Sequence, residues 1–250
     1  MSAFYSKEIF SRNRIVFGEE KQKKIENSYA IVIGLGGVGG FAAEFLVRCG
    51  IGSILLVDFD CFEMTNINRQ NYSNIQRIGK KKIHILKKEF EMINPDLNIE
   101  VLDQFVKDDF SFLRNDNKIY VIDAIDAFRP KINLIKYCWN HQICFISCLG
   151  AGGRMNPDFL EYSDLFLTEG CPFASRLRKF LRREGVNKDV PVVYSKEKPS
   201  ATVAPNTDEN KREENYGRIR NVIGSLPFVP AVMGAYASFY IIRKIIEQEL

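Results

Sequence analysis

The sequence predicts an α/β fold: a doubly wound, mostly parallel sheet of Rossmann-like type, preceded by N-terminal helices and followed by a C-terminal extension. Three observations predict it. The apolar strand Tyr29–Ile33 runs into a glycine-rich turn, Gly34-Leu-Gly36-Gly37-Val-Gly39, which opens a helix. Further short apolar runs then alternate with helical stripes, the β-α-β-α order of a parallel sheet with right-handed crossovers. Finally, Gly34, Asp58, Asp123, Asp126 and the Gly150–Gly153 turn all fall at or just after predicted strand ends. Ligands bind beyond the carboxyl ends of such strands, so these residues are expected to line one crevice.

In chain order, Tyr5–Phe17 and Glu19–Asn27 predict two short helices broken by Gly18. The helix after the glycine turn runs from about Gly37 to Cys49 and is stopped by Gly50 and Gly52. Ser53–Asp58 is a near-continuous apolar run, as expected of a parallel strand covered on both faces. Lys80–Asn94 is helical, with Ile83, Leu86, Phe90 and Ile93 on one stripe and Pro95 ending it. Strands follow at Asn98–Leu102, Lys118–Ala124 and Ile143–Cys148, and a helix from Pro130 to Gln142 separates the last two. Pro130 suits a first helical position. Beyond Gly153 the periodicity weakens: Pro172–Arg183 predicts a basic helix and 196–218 a mobile loop. A closing helix from Pro230 to Glu249 carries Ala231, Gly234, Ala235, Ala237 and Ser238, which allow close packing.

At 250 residues, with 46% apolar and 26% charged, the chain reads as one domain able to bury a full core. Within it, 1–28 forms the N-terminal helices, 29–153 the nucleotide-binding core, and 154–250 an extension for substrate and dimer contacts. A net charge of +4 does not by itself argue for nucleic acid. Six cysteines without a CxxC pair argue against structural zinc, and His84 and His141 stand alone on predicted helices. The N-terminal residues are polar. The most apolar run, Phe228–Ile242, falls short of the roughly 18 residues a spanning helix needs. The expectation is a cytoplasmic protein with no integral membrane segment.

Asp58 ends the second strand nineteen residues after Gly39, where an acid typically holds ribose hydroxyls. Arg69 and Lys82 then add two cations on a segment able to fold back over the crevice. Cations converging on a phosphate loop suit a triphosphate, whose charge grows at the leaving pyrophosphate. Asp126, past the fourth strand, is a candidate Mg²⁺ ligand, since that ion is held by one or two carboxylates plus phosphate oxygens. Lys80 and Lys81 read as solvent-facing.

Gly34–Gly39, Asp58-Phe-Asp60, Thr65-Asn66-Ile-Asn68-Arg69-Gln70, Lys82 and Asp123-Ala-Ile-Asp126 together resemble the adenylating domain of the ubiquitin-activating superfamily. The resemblance implies activation of a carboxylate by Mg-ATP, with Asp58 on ribose, Asn66, Arg69 and Lys82 on phosphates, and Asp126 on magnesium. Asp60, Asn68 and Gln70 belong to the same cofactor-binding set. Arg12 matches the arginine that homodimeric members reach across to the partner's ATP.

Further motifs narrow the resemblance to the tRNA threonylcarbamoyladenosine dehydratases: Phe128-Arg-Pro-Lys131, Gly150-Ala-Gly-Gly-Arg154, Pro172-Phe-Ala-Ser-Arg176-Leu-Arg178, Val192-Val-Tyr-Ser195 and Val229-Pro-Ala-Val-Met-Gly234. It implies adenylation of the threonyl carboxylate of threonylcarbamoyladenosine beside the anticodon, then ring closure by the substrate's own nitrogen. The implied partners are tRNA, a second copy of the chain and a sulfur-transfer protein. Arg176, Arg178, Lys179, Arg182 and Arg183 form a basic stretch able to meet tRNA phosphates, and Arg154 is placed against substrate or ATP. Cys171 departs from the family pattern, which carries an acid there. The alternatives are an adenylyltransferase acting on the C-terminus of a ubiquitin-like sulfur carrier, a nucleotide-binding scaffold, and a dehydrogenase.

Overall fold

The computed structural model describes residues 7–113, 119–200, 211–213, 219–221 and 223–247. Seven strands form one sheet in the order β3-β2-β1-β4-β5-β7-β6. They are β1 (Tyr29–Ile33), β2 (Ser53–Val57), β3 (Asn98–Leu102), β4 (Ile119–Asp123), β5 (Cys144–Cys148), β6 (Leu160–Asp164) and β7 (Pro191–Ser195). All neighbours pair in parallel except β6, which runs antiparallel to β7 at the edge. The chain winds outward from β1 through β2 to β3, then returns to the other flank of β1 as β4. That reversal opens a crevice between the β1 and β4 exits, where a doubly wound sheet binds its ligands.

The helices whose bounds lie among the described residues are α1 (Ser11–Phe17), α2 (Glu19–Glu26), α3 (Gly39–Arg48), α4 (Lys82–Ile93), α5 (Phe128–Asn140), α6 (Pro172–Arg183) and α7 (Phe228–Glu247). Alternate β1 residues feed two separate cores. Ala30 and Val32 pack with residues of α3, α4 and α7, while Ile31 and Ile33 pack with residues of α5 and α6. The near-continuous apolar character of β1, β2 and β4 follows from this two-sided cover. On one face α7 lies against α3 so closely that a side chain at Gly234 would come within 2.8 Å of the Val38 carbonyl. The small residues of α7 therefore brace the start of α3, and with it the glycine turn.

The strand expectations agree with the structure to within a residue or two, and three features differ. First, β6 and β7 carry no signal strong enough to be predicted; β7 has four of its five residues buried yet is only five residues long. Second, Pro130 is the third residue of α5, not its first, because the helix already starts at Phe128 with Ala127 as cap. Third, α7 spans twenty residues, long and apolar enough by length and composition to cross a membrane. The shorter estimate failed because Pro230 sits in its first turn and Gly234 is absorbed by packing on α3 rather than breaking the helix. Val229, Met233, Ala237, Ile241 and Ile245 of α7 are buried in the first core. The N-terminal helix is interrupted at Phe10, whose ring is buried against Gly50. The mobile loop expected over 196–218 lies outside the described residues at 201–210 and 214–218. Lys211–Glu213 (β8), within that span, pairs antiparallel with Ile219–Asn221 (β9) just after it.

Candidate active site

The glycine turn leaves β1 with Gly34 at φ +89°, a left-handed conformation. A side chain there would also strike the Ala124 carbonyl at 2.7 Å. Gly34 thus lets the β1 exit press against the β4 exit. A side chain at Gly36, by contrast, would meet open space, so the turn faces a vacant approach. Glycine is what allows a phosphate close to such a backbone, and the start of α3 adds the positive end of its dipole.

Asp58 holds this turn. Its Oδ2 accepts the Leu35 N–H at 2.5 Å and its Oδ1 the Asp60 N–H at 2.8 Å. Burial pushes its carboxyl above the usual carboxylate range, opposed by the nearby Lys82 ammonium. Each carboxylate oxygen keeps a second lone pair, so Asp58 can shape the turn and still accept a ribose hydroxyl.

Lys82 is the first residue of α4, a position where the helix dipole disfavours a cation, and it is buried. It is neutralised by Asp60, Nζ to Oδ2 at 3.0 Å, and that carboxylate is itself 47% exposed. A polyphosphate entering the crevice offers Lys82 more negative charge than Asp60 does. Lys81 faces solvent, where its Nζ donates to the Phe59 carbonyl and to the exposed Asp103 at 2.9 Å. Lys80 is exposed.

The 66–70 segment lies across the same opening. The backbone and Cγ of Arg69 lie 3.3–3.4 Å from where a Gly37 side chain would begin. Its guanidinium donates to the Thr65 carbonyl at 2.6 Å and to Asn68 Oδ1 at 3.1 Å. Asn66 has a folding task as well as its expected one, since its Oδ1 accepts the Glu63 N–H in a reciprocal cap of the short 3₁₀ turn Met64–Asn66. Asn68 donates to the Ser225 carbonyl, linking this segment to the lead-in of α7. Gln70 is buried with its side-chain oxygen unpartnered among the described residues. That leaves an acceptor in want of a donor.

Asp126 is exposed beyond β4. Its loop is fixed by the Ile125 N–H donating to Asp123 Oδ1 at 3.0 Å and by the Ala124–Gly34 contact. Among the described residues no cluster of three or more His, Cys, Asp or Glu side chains is able to hold a metal. A site with one or two carboxylates fits Mg²⁺ completed by phosphate oxygens and water, and does not fit an all-protein cage.

Three expectations, for Asp123, Arg154 and Arg178, are corrected. Asp123 does not line the crevice: it is fully buried, its Oδ2 bound by Lys131 Nζ at 2.7 Å and by the Ser147 hydroxyl at 2.6 Å. Lys131 also donates to Ser147 Oγ and the Cys148 carbonyl, which uses all three of its N–H donors. The signal for this cluster was present in the sequence as a lysine on the apolar stripe of α5, three residues from the buried Leu134, facing an acid at the end of an apolar strand. Arg154, expected at substrate or phosphate, is buried and turned inward. It donates to the carbonyls of Gly150 and Glu197 and, at 3.3 Å, to Cys171 Sγ.

On α6 the basic stretch divides. Arg178 turns inward to the Leu165 and Thr168 carbonyls, whereas Arg176, Lys179, Arg182 and Arg183 are exposed. Arg12 is exposed on α1, which is tied to the far end of α3 by Asn13 donating to the Arg48 carbonyl. Since α3 begins at the glycine turn and ends at Arg48, Arg12 lies remote from its own chain's crevice.

This arrangement has close parallels. The tRNA threonylcarbamoyladenosine dehydratase of Bacillus subtilis (strain 168) is 35% identical over 243 residues, covering 95% of this chain and 94% of that one. The enzyme of the same name from Escherichia coli (strain K12) is 37% identical over 77% of this chain and 74% of its own length. Crystal structures of the E. coli tRNA N6-threonylcarbamoyladenosine dehydratase, TcdA, in complex with ATP and with AMP, superpose with TM-scores of 0.84 and 0.82 at 30% and 32% identity. Both comparisons cover 96% of this chain and 94% of the other. By contrast, the molybdopterin-synthase adenylyltransferase of Haemophilus influenzae matches only 54% of this chain, at 30% identity. The ThiF family model matches residues 10–249, and the chain belongs to the ThiF family.

Proposed function

We propose that this protein is an ATP-dependent dehydratase of threonylcarbamoyladenosine in tRNA, beside the anticodon. The observation that carries the reading is the Asp58-anchored glycine turn, open at Gly36 and flanked by Lys82 and Arg69, in a chain alike from end to end to dehydratases that bind ATP and AMP. The alternative, activation of a ubiquitin-like sulfur carrier, is disfavoured because the resemblance to such an adenylyltransferase covers only 54% of the chain.

The chemistry follows from the charges. The threonyl carboxylate attacks the α-phosphorus of ATP, pyrophosphate leaves, and an acyl-adenylate forms. The carbamoyl nitrogen of the same side chain then attacks the acyl carbon and loses its proton, and AMP leaves with the former carboxylate oxygen. Water is thereby lost from the nucleoside at the expense of one ATP. In this scheme Asp58 accepts ribose hydroxyls, Gly34, Gly36, Gly37 and Gly39 admit the phosphates, and Asn66, Asn68 and Gln70 frame the nucleotide. Arg69 and Lys82 neutralise the developing pyrophosphate. Lys82 exchanges Asp60 for phosphate as it does so. Mg²⁺ held by Asp126 would shield phosphate charge. The nucleophile belongs to the substrate, so proximity replaces an enzyme nucleophile.

The same proposal makes the protein a cytoplasmic homodimer. What supports the dimer is a helix α1 that buries none of its own residues and leaves Ile15 84% and Val16 80% exposed. Beside it lies an apolar groove lined by Phe17, Phe45, Ala235, Phe239, Ile242 and Ile246. The family resemblance assigns Arg12 of such a second copy to the first copy's nucleotide. A sulfur-transfer protein completes the partners proposed, and its test is co-purification with the tagged chain.

The deciding assay incubates the protein with Mg-ATP and modified tRNA and weighs the digested nucleosides. A product lighter by one water, lost in Arg69→Ala and Asp126→Ala, supports the reading; modified tRNA left unchanged by the wild type overturns it.

A further inference from the structure

The five cations Arg129, Arg176, Lys179, Arg182 and Arg183 share one exposed surface formed by α5 and α6. Among the described residues none of them stands in an ion pair, although Lys136 on the same helix α5 does, with Glu184. A chain whose net charge is only +4 thus gathers five cations on one side, and the acid that Arg129 feels nearby, the Glu184 carboxylate, is already paired with Lys136. Their side chains are not loose. The Arg176 guanidinium lies 4.0 Å from the centre of the Phe128 ring, Arg129 lies 5.1 Å and Arg183 5.8 Å from that of Phe180, and Arg182 lies 5.4 Å from that of Phe166. The rings themselves interlock edge to face, Phe128 with Phe173 and with Phe180. A guanidinium stacked on a ring has its plane fixed while its N–H edges stay open, so little side-chain freedom is lost when those edges meet phosphate.

The surface is continuous with the crevice. Phe128, under Arg176, is the first residue of α5 and two residues beyond Asp126. The N-terminus of α6 is held to the loop after β5 by the Arg154–Cys171 contact. From Arg176 to Arg183 the helix carries the charges roughly 10 Å farther from the site.

We infer that the guanidinium–phenylalanine ladder of Arg129, Arg176 and Arg183, with Lys179, is the surface that grips the phosphate backbone of the RNA substrate while its nucleoside occupies the crevice. This rests on the dehydratase reading and extends it: Arg178 and Arg154 are excluded from RNA contact, and Arg129, which belongs to a different helix, is added.

The experiment measures binding of unmodified tRNA to the full chain by fluorescence anisotropy across a salt series, for the wild type, Arg129→Gln/Arg183→Gln, Arg176→Lys and a control, Lys23→Gln on α2. The double variant should bind about tenfold or more weakly at about 0.15 M salt, and the slope of log K against log[salt] should fall by about one per lost phosphate contact. Arg176→Lys keeps the charge but loses the planar stack, and should show a smaller loss with an unchanged slope. Lys23→Gln should match the wild type. ATP affinity, read separately, should be the same in all four. Wild-type affinity and slope in the double variant would overturn this surface even if the nucleoside is still dehydrated. Conversely, weakened RNA binding in variants of a wild type that dehydrates nothing would keep the surface and remove the activity. Equal losses on anionic lipid vesicles with RNA binding unchanged would assign the ladder to a membrane and refute it here.

Discussion

Two lysine–aspartate pairs stand at the carboxyl edge of the same sheet, and they do opposite things. Lys131 and Asp123 lie 2.7 Å apart with 1% and 0% of their side chains exposed, and the surrounding groups satisfy every lysine proton. Lys82 and Asp60 lie 3.0 Å apart, but Asp60 is half in solvent and the crevice opens beside them. A sealed, saturated pair has nothing left to offer a ligand. It fixes the backbone instead, tying the ends of β4 and β5 to α5. The open pair trades one anion for another at little cost, because water already solvates the carboxylate that is displaced. Burial and saturation, not residue type, separate structure from binding here.

The sharpest way to break this contrast is at the sealed pair. Lys131→Met strands a buried carboxylate and should cost about 3–5 kcal/mol, lowering the melting temperature by roughly 6–20 °C. Adding Asp123→Leu should return part of that loss, measured by urea denaturation; a double variant no more stable than Lys131→Met would show that the pair does more than compensate charge. At the open pair, Lys82→Ala should leave stability within about 1 kcal/mol. Turnover on modified tRNA should fall about 10²–10³-fold. If Lys82→Ala melts as early as Lys131→Met, the two pairs are equivalent and the contrast fails.

The smallest effect concerns Asp58, which burial holds above its ordinary range. The folded state therefore takes up its proton at higher pH than the unfolded chain does. Stability from this group is present at low pH and is lost as pH rises through the folded value. The stability of the wild type relative to Asp58→Asn should accordingly grow as pH falls from about 7 towards 4. A difference that shrinks over that range would mean that the Lys82 ammonium, not desolvation, governs the carboxyl.

Much of this was readable from residues. The strands β1–β5 are short apolar runs punctuated by glycine and acid, and burial on both faces makes such runs conspicuous. The glycine turn, Asp58, Lys82, Arg69 and Asp126 stood out as candidates because phosphate binding would demand particular residue types at particular strand ends. What stayed hidden depended on partners distant in sequence. The edge strands β6 and β7 carry weak patterns and are specified mainly by pairing with each other and with β5. Arg154 and Arg178 look like any surface cations until their carbonyl partners are located. Arg129 lies outside the basic stretch altogether, and only the approach of α5 to α6 stacks it on Phe180.

By itself the sequence determined the class of fold and the glycine turn at the first strand exit, and it singled out the residues proposed to meet a nucleotide, since local periodicity and glycine chemistry encode these within a few residues. The tertiary structure alone decided which charges are sealed and which are free. Solvent exposure is a property of the assembled packing, and two lysines of identical chemistry acquire different tasks from the elements that close over them.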